Sequence, residues 1–200
     1  MNTFNRFFPK ALASLMLAGL SFLAMPSKSQ AQCPTGWNSA TDITTVDGCS
    51  VTIAYCWRSY LGTNQIRLTS VTKTGSCSTD WTTLIYDSQQ QVIIDDQMGW
   101  TYIPCNQGGY NWFYIEADLV TCWKIINVAC GTCVPQEEAV ICDNVSAKCQ
   151  SIYAVCEPIV GGPPTITLTS RQLVGDSPCS TNLPTSGYTY DTCYAINCSN

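Results

Sequence analysis

The sequence contains no histidine, and only 12% of its 200 residues are charged. Without an imidazole there is no His-based triad, no His-containing zinc site and no ordinary haem attachment, and few groups remain that exchange protons near neutral pH. Basic residues are especially scarce. Of the nine, Arg6, Lys10 and Lys28 fall in the first 31 positions, which hold no acid, so the rest sets six basic against 14 acidic residues, a net charge of −8. That balance disfavours nucleic acid and anionic lipid as partners. Long apolar runs are missing beyond Met25, and nothing later approaches the roughly 20 residues that a membrane span needs.

At the front, Arg6 and Lys10 precede the apolar run Ala11 to Met25, which is followed by Pro26 and the small-residue pattern Ser29-Gln30-Ala31. This reads as an export signal over 1–31. The mature chain is expected to have no transmembrane segment and to be secreted or held at the cell surface, with the periplasm as the alternative.

Cysteine is abundant by contrast, with 14 residues, all after the leader. In an oxidising compartment an even number at this density implies a full disulfide framework, here seven bonds. The spacing also reveals an internal repeat. Cys33, Cys49 and Cys56 recur as Cys133, Cys149 and Cys156, always 100 positions on, and Ile66-Arg67-Leu68-Thr69-Ser70 is echoed by Ile166-Thr167-Leu168-Thr169-Ser170 at the same offset. Cys77 then matches Cys179, Cys122 matches Cys193, and Cys130 matches Cys198. Cys105 and Cys142 stand outside the six-cysteine pattern, and parity pairs them with each other across the two copies. The domain reading is a signal over 1–31, a first Cys-rich β unit over 32–132 and a second, shorter one over 133–200. Cys130-Gly131-Thr132-Cys133 has redox-motif spacing, but the repeat makes it a junction of two structural positions.

The fold expected is mainly β: two tandem disulfide-stapled small β units, sandwich-like or hairpin-rich, packed together. Thr41 to Val46, Asp47-Gly48 and Cys49 to Trp57 read as strand, tight turn and strand, because Asp-Gly supplies the positive φ angles of a two-residue hairpin. Gln65 to Thr72, Trp81 to Tyr86, Gln91 to Ile94, Tyr110 to Leu119 and Thr121 to Ala129 continue the strand pattern. Pro135 to Val140, with Pro and two Glu near its start, is the one helix candidate.

Between their fourth and fifth matched cysteines the copies diverge: Cys77 to Cys122 spans 45 positions and Cys179 to Cys193 only 14. The extra residues, about 87–118, hold the candidate site. On a strand, Phe113, Ile115, Ala117 and Leu119 share one face, and Tyr110, Trp112, Tyr114, Glu116 and Asp118 the other. The second set is an aromatic stripe ending in two carboxylates, suited to stacking on a sugar or peptide and bonding its hydroxyls or amides; the competing reading packs the stripe within the protein. Asp95-Asp96 reads as a solvated strand end. No metal or cofactor is expected.

These features predict an exported, non-enzymatic extracellular or cell-surface protein with a binding or assembly role. Its partner would be an extracellular glycan, a protein or another copy of itself. The alternatives are a carbohydrate- or peptide-binding module using the aromatic face and a small carboxylate-dependent hydrolase.

Overall fold

In the computed structural model the described residues are 33–75, 77–95, 98–105, 113–128, 136–159, 161–179 and 192–198. The leader, the Cys130 to Cys133 junction, Asp96, Tyr110 and Trp112 lie outside them.

Strands β1 (Asn38–Val46) and β2 (Cys49–Tyr60) are joined by Asp47-Gly48, with φ angles of 49° and 76°, the positive values that a tight hairpin requires. A second two-residue turn, Leu61-Gly62, leads into β3 (Thr63–Thr74). The β2–β3 pair does not run straight. Ala54 faces Ser70 while Tyr55 faces Leu68, so Thr69 is an extra residue, a β-bulge that increases the local bend.

This bulge sits where the sheet branches. One edge of β3 pairs with β2 along most of its length. The other edge is divided: Asn64–Arg67 pair in parallel with β4 (Phe113–Val120), and Ser70–Thr74 pair antiparallel with β6 (Gln136–Ile141). From β4 the sheet continues to β7 (Lys148–Cys156) and β8 (Thr165–Val174), and from β6 to β5 (Cys122–Val128) and the two-residue β9 (Tyr194–Ala195). Nine strands among the described residues thus form one sheet with two arms. The chain is mainly β, as the alternating pattern predicts.

Each arm turns one face inward. Cross-strand neighbours lie on the same side of a sheet, and the rows Ile66–Ala117–Ser151 and Ile53–Val71–Ala139–Ile125 are fully buried. Helix α1 (Trp81–Asp95) covers this interior with Trp81, Leu84, Ile85, Ser88, Gln89, Val92 and Ile93, a stripe repeating every three to four residues. Asp80 starts the helix by accepting from the Thr83 amide at 3.0 Å and the Thr83 hydroxyl at 2.7 Å. Burial would raise this carboxyl, but those hydrogen bonds outweigh it and hold the group below its usual value.

The helix corrects the expectation of strands over Trp81 to Tyr86 and Gln91 to Ile94. Asp95 accordingly ends a helix, where Gln91 donates to it at 2.9 Å, and is not at a strand end. The reverse correction applies to Pro135 to Val140: from Gln136 on, this segment is β6, ladder-bonded to β3 and β5, with Ala139 in the core. Pairing on both edges outweighs the helix-start character of Glu137 and Glu138, and Lys73 reaches Glu137 at 3.0 Å.

The resemblance between the halves extends to local geometry. The β7–β8 hairpin has its own bulge, with Ile152 facing Ser170, Tyr153 facing Leu168, and Thr169 extra. Thr69 and Thr169 are 100 positions apart, within the two copies of the Ile-x-Leu-Thr-Ser motif.

The six disulfides among the described residues do not follow that correspondence. Cys49 bonds Cys77, yet their counterparts Cys149 and Cys179 bond Cys198 and Cys122. Cys33 bonds Cys56. The expected Cys105–Cys142 link is absent: Cys105 bonds Cys156, and Cys142 bonds Cys193. Both halves are cross-linked, but through Cys105–Cys156 and Cys122–Cys179. Counting unmatched cysteines misled here because pairing depends on which strand ends meet in space.

Candidate functional site on the outer sheet face

The Cys77 to Cys122 segment, longer in the first copy than in the second, is not an appendage to the sheet. It supplies α1 and β4, and β4 lies between β3 and β7. Its alternation follows the expected division. Ile115, Ala117 and Leu119 are fully buried, and Phe113 joins a ring cluster at the end of the core, with its centroid 5.0 Å from Tyr102 and 6.1 Å from Trp100. Tyr114, Glu116 and Asp118 point to the opposite, outer side.

There the three residues differ in role. Tyr114 is 47% exposed. Asp118 is buried and accepts from Lys148 Nζ at 2.6 Å, and the same ammonium lies 3.7 Å from Glu116. Arg67 is the parallel cross-strand neighbour of Asp118. Burial nevertheless dominates, and the Asp118 carboxyl is pushed above its ordinary value despite Lys148 and Arg67. The carboxylates are therefore held by a lysine 30 positions beyond Asp118, which no local spacing places beside them.

Several residues outside the predicted stripe complete the face. Arg58 on β2 pairs across with Gln65 on β3, which pairs with Glu116 on β4. Arg58 Nε donates to Gln65 Oε1. Gln150 on β7 donates to Glu116 at 2.7 Å, and Gln172 on β8 donates to Gln150 at 3.2 Å. A polar row thus crosses five strands. Beside it, two residues from Arg58 on the same side, stands Tyr60, which is 55% exposed. The Arg58 guanidinium is stacked between Trp37 and Tyr60, 4.4 Å and 4.9 Å from their ring centroids.

Among the described residues, clefts lie elsewhere. One of about 240 Å³ opens where the arms diverge, beside Arg67, Thr69 and Asn144. A shallower groove of about 520 Å³ runs between β8 and the 192–198 segment, past Arg171, Leu173 and Asn197, and among the described residues no acid lines it. Among the described residues no three Cys, Asp or Glu side chains converge to hold a metal. No described helix is long and apolar enough to cross a membrane.

Fold and face together define a disulfide-rich, single-sheet β protein with aromatic and amide side chains on its outer surface, and its many disulfides suit an extracellular setting. Comparison with models of known protein families, with curated proteins and with solved structures finds no match.

Proposed function

We propose that this protein is an extracellular, non-enzymatic binding module that recognises its ligand on the outer face of β2, β3, β4, β7 and β8. The observation that carries this reading is the pair of half-exposed rings, Tyr60 and Tyr114, standing on one side of a polar row in which Arg58 is bonded to Gln65, and Gln150 to both Glu116 and Gln172. Preorganised side chains on paired strands bind with little ordering cost. Lys148 supports a non-enzymatic role, since its ammonium pairs with both Asp118 and Glu116, the two carboxylates of the stripe.

Self-assembly through open edges is the competing reading, and exposed Ile43 on β1 and Leu173 on β8 favour it. Each edge, however, also carries an inward charge that discourages strand addition. On β1, Asp42 is only 4% exposed; on β8, Arg171 donates inward to Ser151 at 2.9 Å. Binding is the better supported role.

The test is co-sedimentation of the purified, oxidised protein with insoluble extracellular polysaccharide and matrix-protein preparations, beside the double variant Tyr60→Asp/Tyr114→Asp. The wild type should sediment and the variant stay soluble, with matching thermal unfolding. Equal retention of the two, or no retention of either, would refute the reading.

A further inference from the structure

We infer that the ligand of this face is a neutral glycan chain lying across the strands; the inference rests on the binding role proposed above. Charge gives the first part of the argument. Four of the five charged side chains of this face are engaged within the protein, and the fifth, Arg67, keeps its buried Nε without a hydrogen-bond partner. Lys148 is paired with Asp118 and Glu116, Arg67 lies beside Asp118, and Arg58 is stacked between two rings and bonded to Gln65. A basic ligand would have to displace Lys148 from its carboxylates, at a cost that grows with their burial, and an acidic one would meet only Arg67, which lines the cleft between the arms, four residues along β3 from the Thr63 that faces Tyr60.

What remains for a ligand is of two kinds. The row's own hydrogen bonds use Oε1 of Gln65 and Nε2 of Gln172, which leaves Gln65 Nε2 to donate and Gln172 Oε1 to accept, as sugar hydroxyls do both. Tyr60 and Tyr114 present ring faces whose negative π surface attracts the slightly positive C–H bonds on the apolar side of a pyranose. Two strand spacings separate these tyrosines, about 10 Å. A chain spanning both therefore needs more than one sugar ring. Tyr60 and Tyr114 line neither of the two clefts described above and stand half-exposed on the sheet, which suits the side of a polymer more than an enclosed small molecule.

The deciding experiment titrates the oxidised protein with neutral cello-, manno- and chito-oligosaccharides, with uronate and sulfated oligosaccharides, and with an unstructured peptide library. We expect saturable binding of one neutral series, absent for its monosaccharide and changing less than about twofold between roughly 0.05 and 0.5 M salt, because no ion pair forms. Tyr114→Ala and Tyr60→Ala should each weaken it about tenfold, within the range for loss of one aromatic contact, while Tyr114→Trp restores it. Preference for the charged oligosaccharides, or for peptides, would overturn the glycan inference and leave the binding face standing if the tyrosine variants still lose retention. Neutral-glycan binding unchanged in both alanine variants would overturn the inference and the face together.

Discussion

Lys148 on β7 donates to Oδ2 of Asp118 on β4 at 2.6 Å, and this contact decides what the acidic end of β4 does. Without the ammonium, Asp118 and the nearby Glu116 would be two carboxylates on one partly buried face. Lys148→Met should therefore cost about 1–3 kcal/mol, the range for stranding a buried charged group. Glu116→Gln, which keeps an acceptor for Gln150, should cost less than about 1 kcal/mol. Urea unfolding of both variants checks the order; equal costs would show that Lys148 serves Glu116 as much as Asp118.

Cys105 and Cys156 join the segment preceding β4 to the end of β7, across 51 positions. Mapping of unreduced peptides should recover Cys105 with Cys156 and Cys142 with Cys193. Cys105→Ser/Cys156→Ser should lower stability by about 2–4 kcal/mol, the usual worth of a native disulfide. A peptide linking Cys105 to Cys142 would contradict the strand arrangement around β4.

At the start of α1, Asp80 caps the backbone through Thr83. Asp80→Ala should cost about 1 kcal/mol, as loss of an N-cap does, with Asp80→Ser recovering most of it. Calorimetry would reveal the difference as a lowered Tm for the alanine variant only.

The pH response should carry the signature of Asp87. Burial, then a hydrogen bond with Asp47 at the β1–β2 turn, then the charges of Asp47 and Asp80 push its pKa up to about 6 from 3.8. Because the folded value lies above the unfolded one, the folded protein holds an extra proton between about pH 4 and 6. This contribution to stability is complete below the unfolded pKa and disappears as pH rises through the folded value. Tm should accordingly fall between pH 4 and 7, and fall less in Asp87→Asn. Superimposable pH profiles for the two proteins would remove Asp87 as the cause.

Much of the β architecture was legible because its signals are local. Asp47-Gly48 specifies a turn by φ alone, and the alternation from Phe113 to Leu119 separates an inner from an outer face. The helix was missed because short apolar runs around Trp81 and Val92 look alike in either period; the informative signals were Asp80 as a cap and the stripe through Leu84, Ile85 and Ser88. β6 was misread because its strand character comes from neighbours on both edges. The aromatic stripe marked out β4 as a strand, with Tyr114, Glu116 and Asp118 on one face; its Tyr110 and Trp112 lie outside the described residues. Gln65, Gln150, Gln172, Arg58 and Lys148 were not legible, since they meet only after distant strands pair and no spacing marks them in the chain.

The most direct test of recognition at the outer face is a chemical-shift map of the tyrosine rings in the oxidised protein during titration with neutral oligosaccharides. Tyr60 and Tyr114 should shift together with one saturation curve, while Tyr55 and Tyr153, each 1% exposed in the core, stay fixed. Shifts confined to other tyrosines, or none at saturating sugar, would contradict recognition of a neutral glycan at this face.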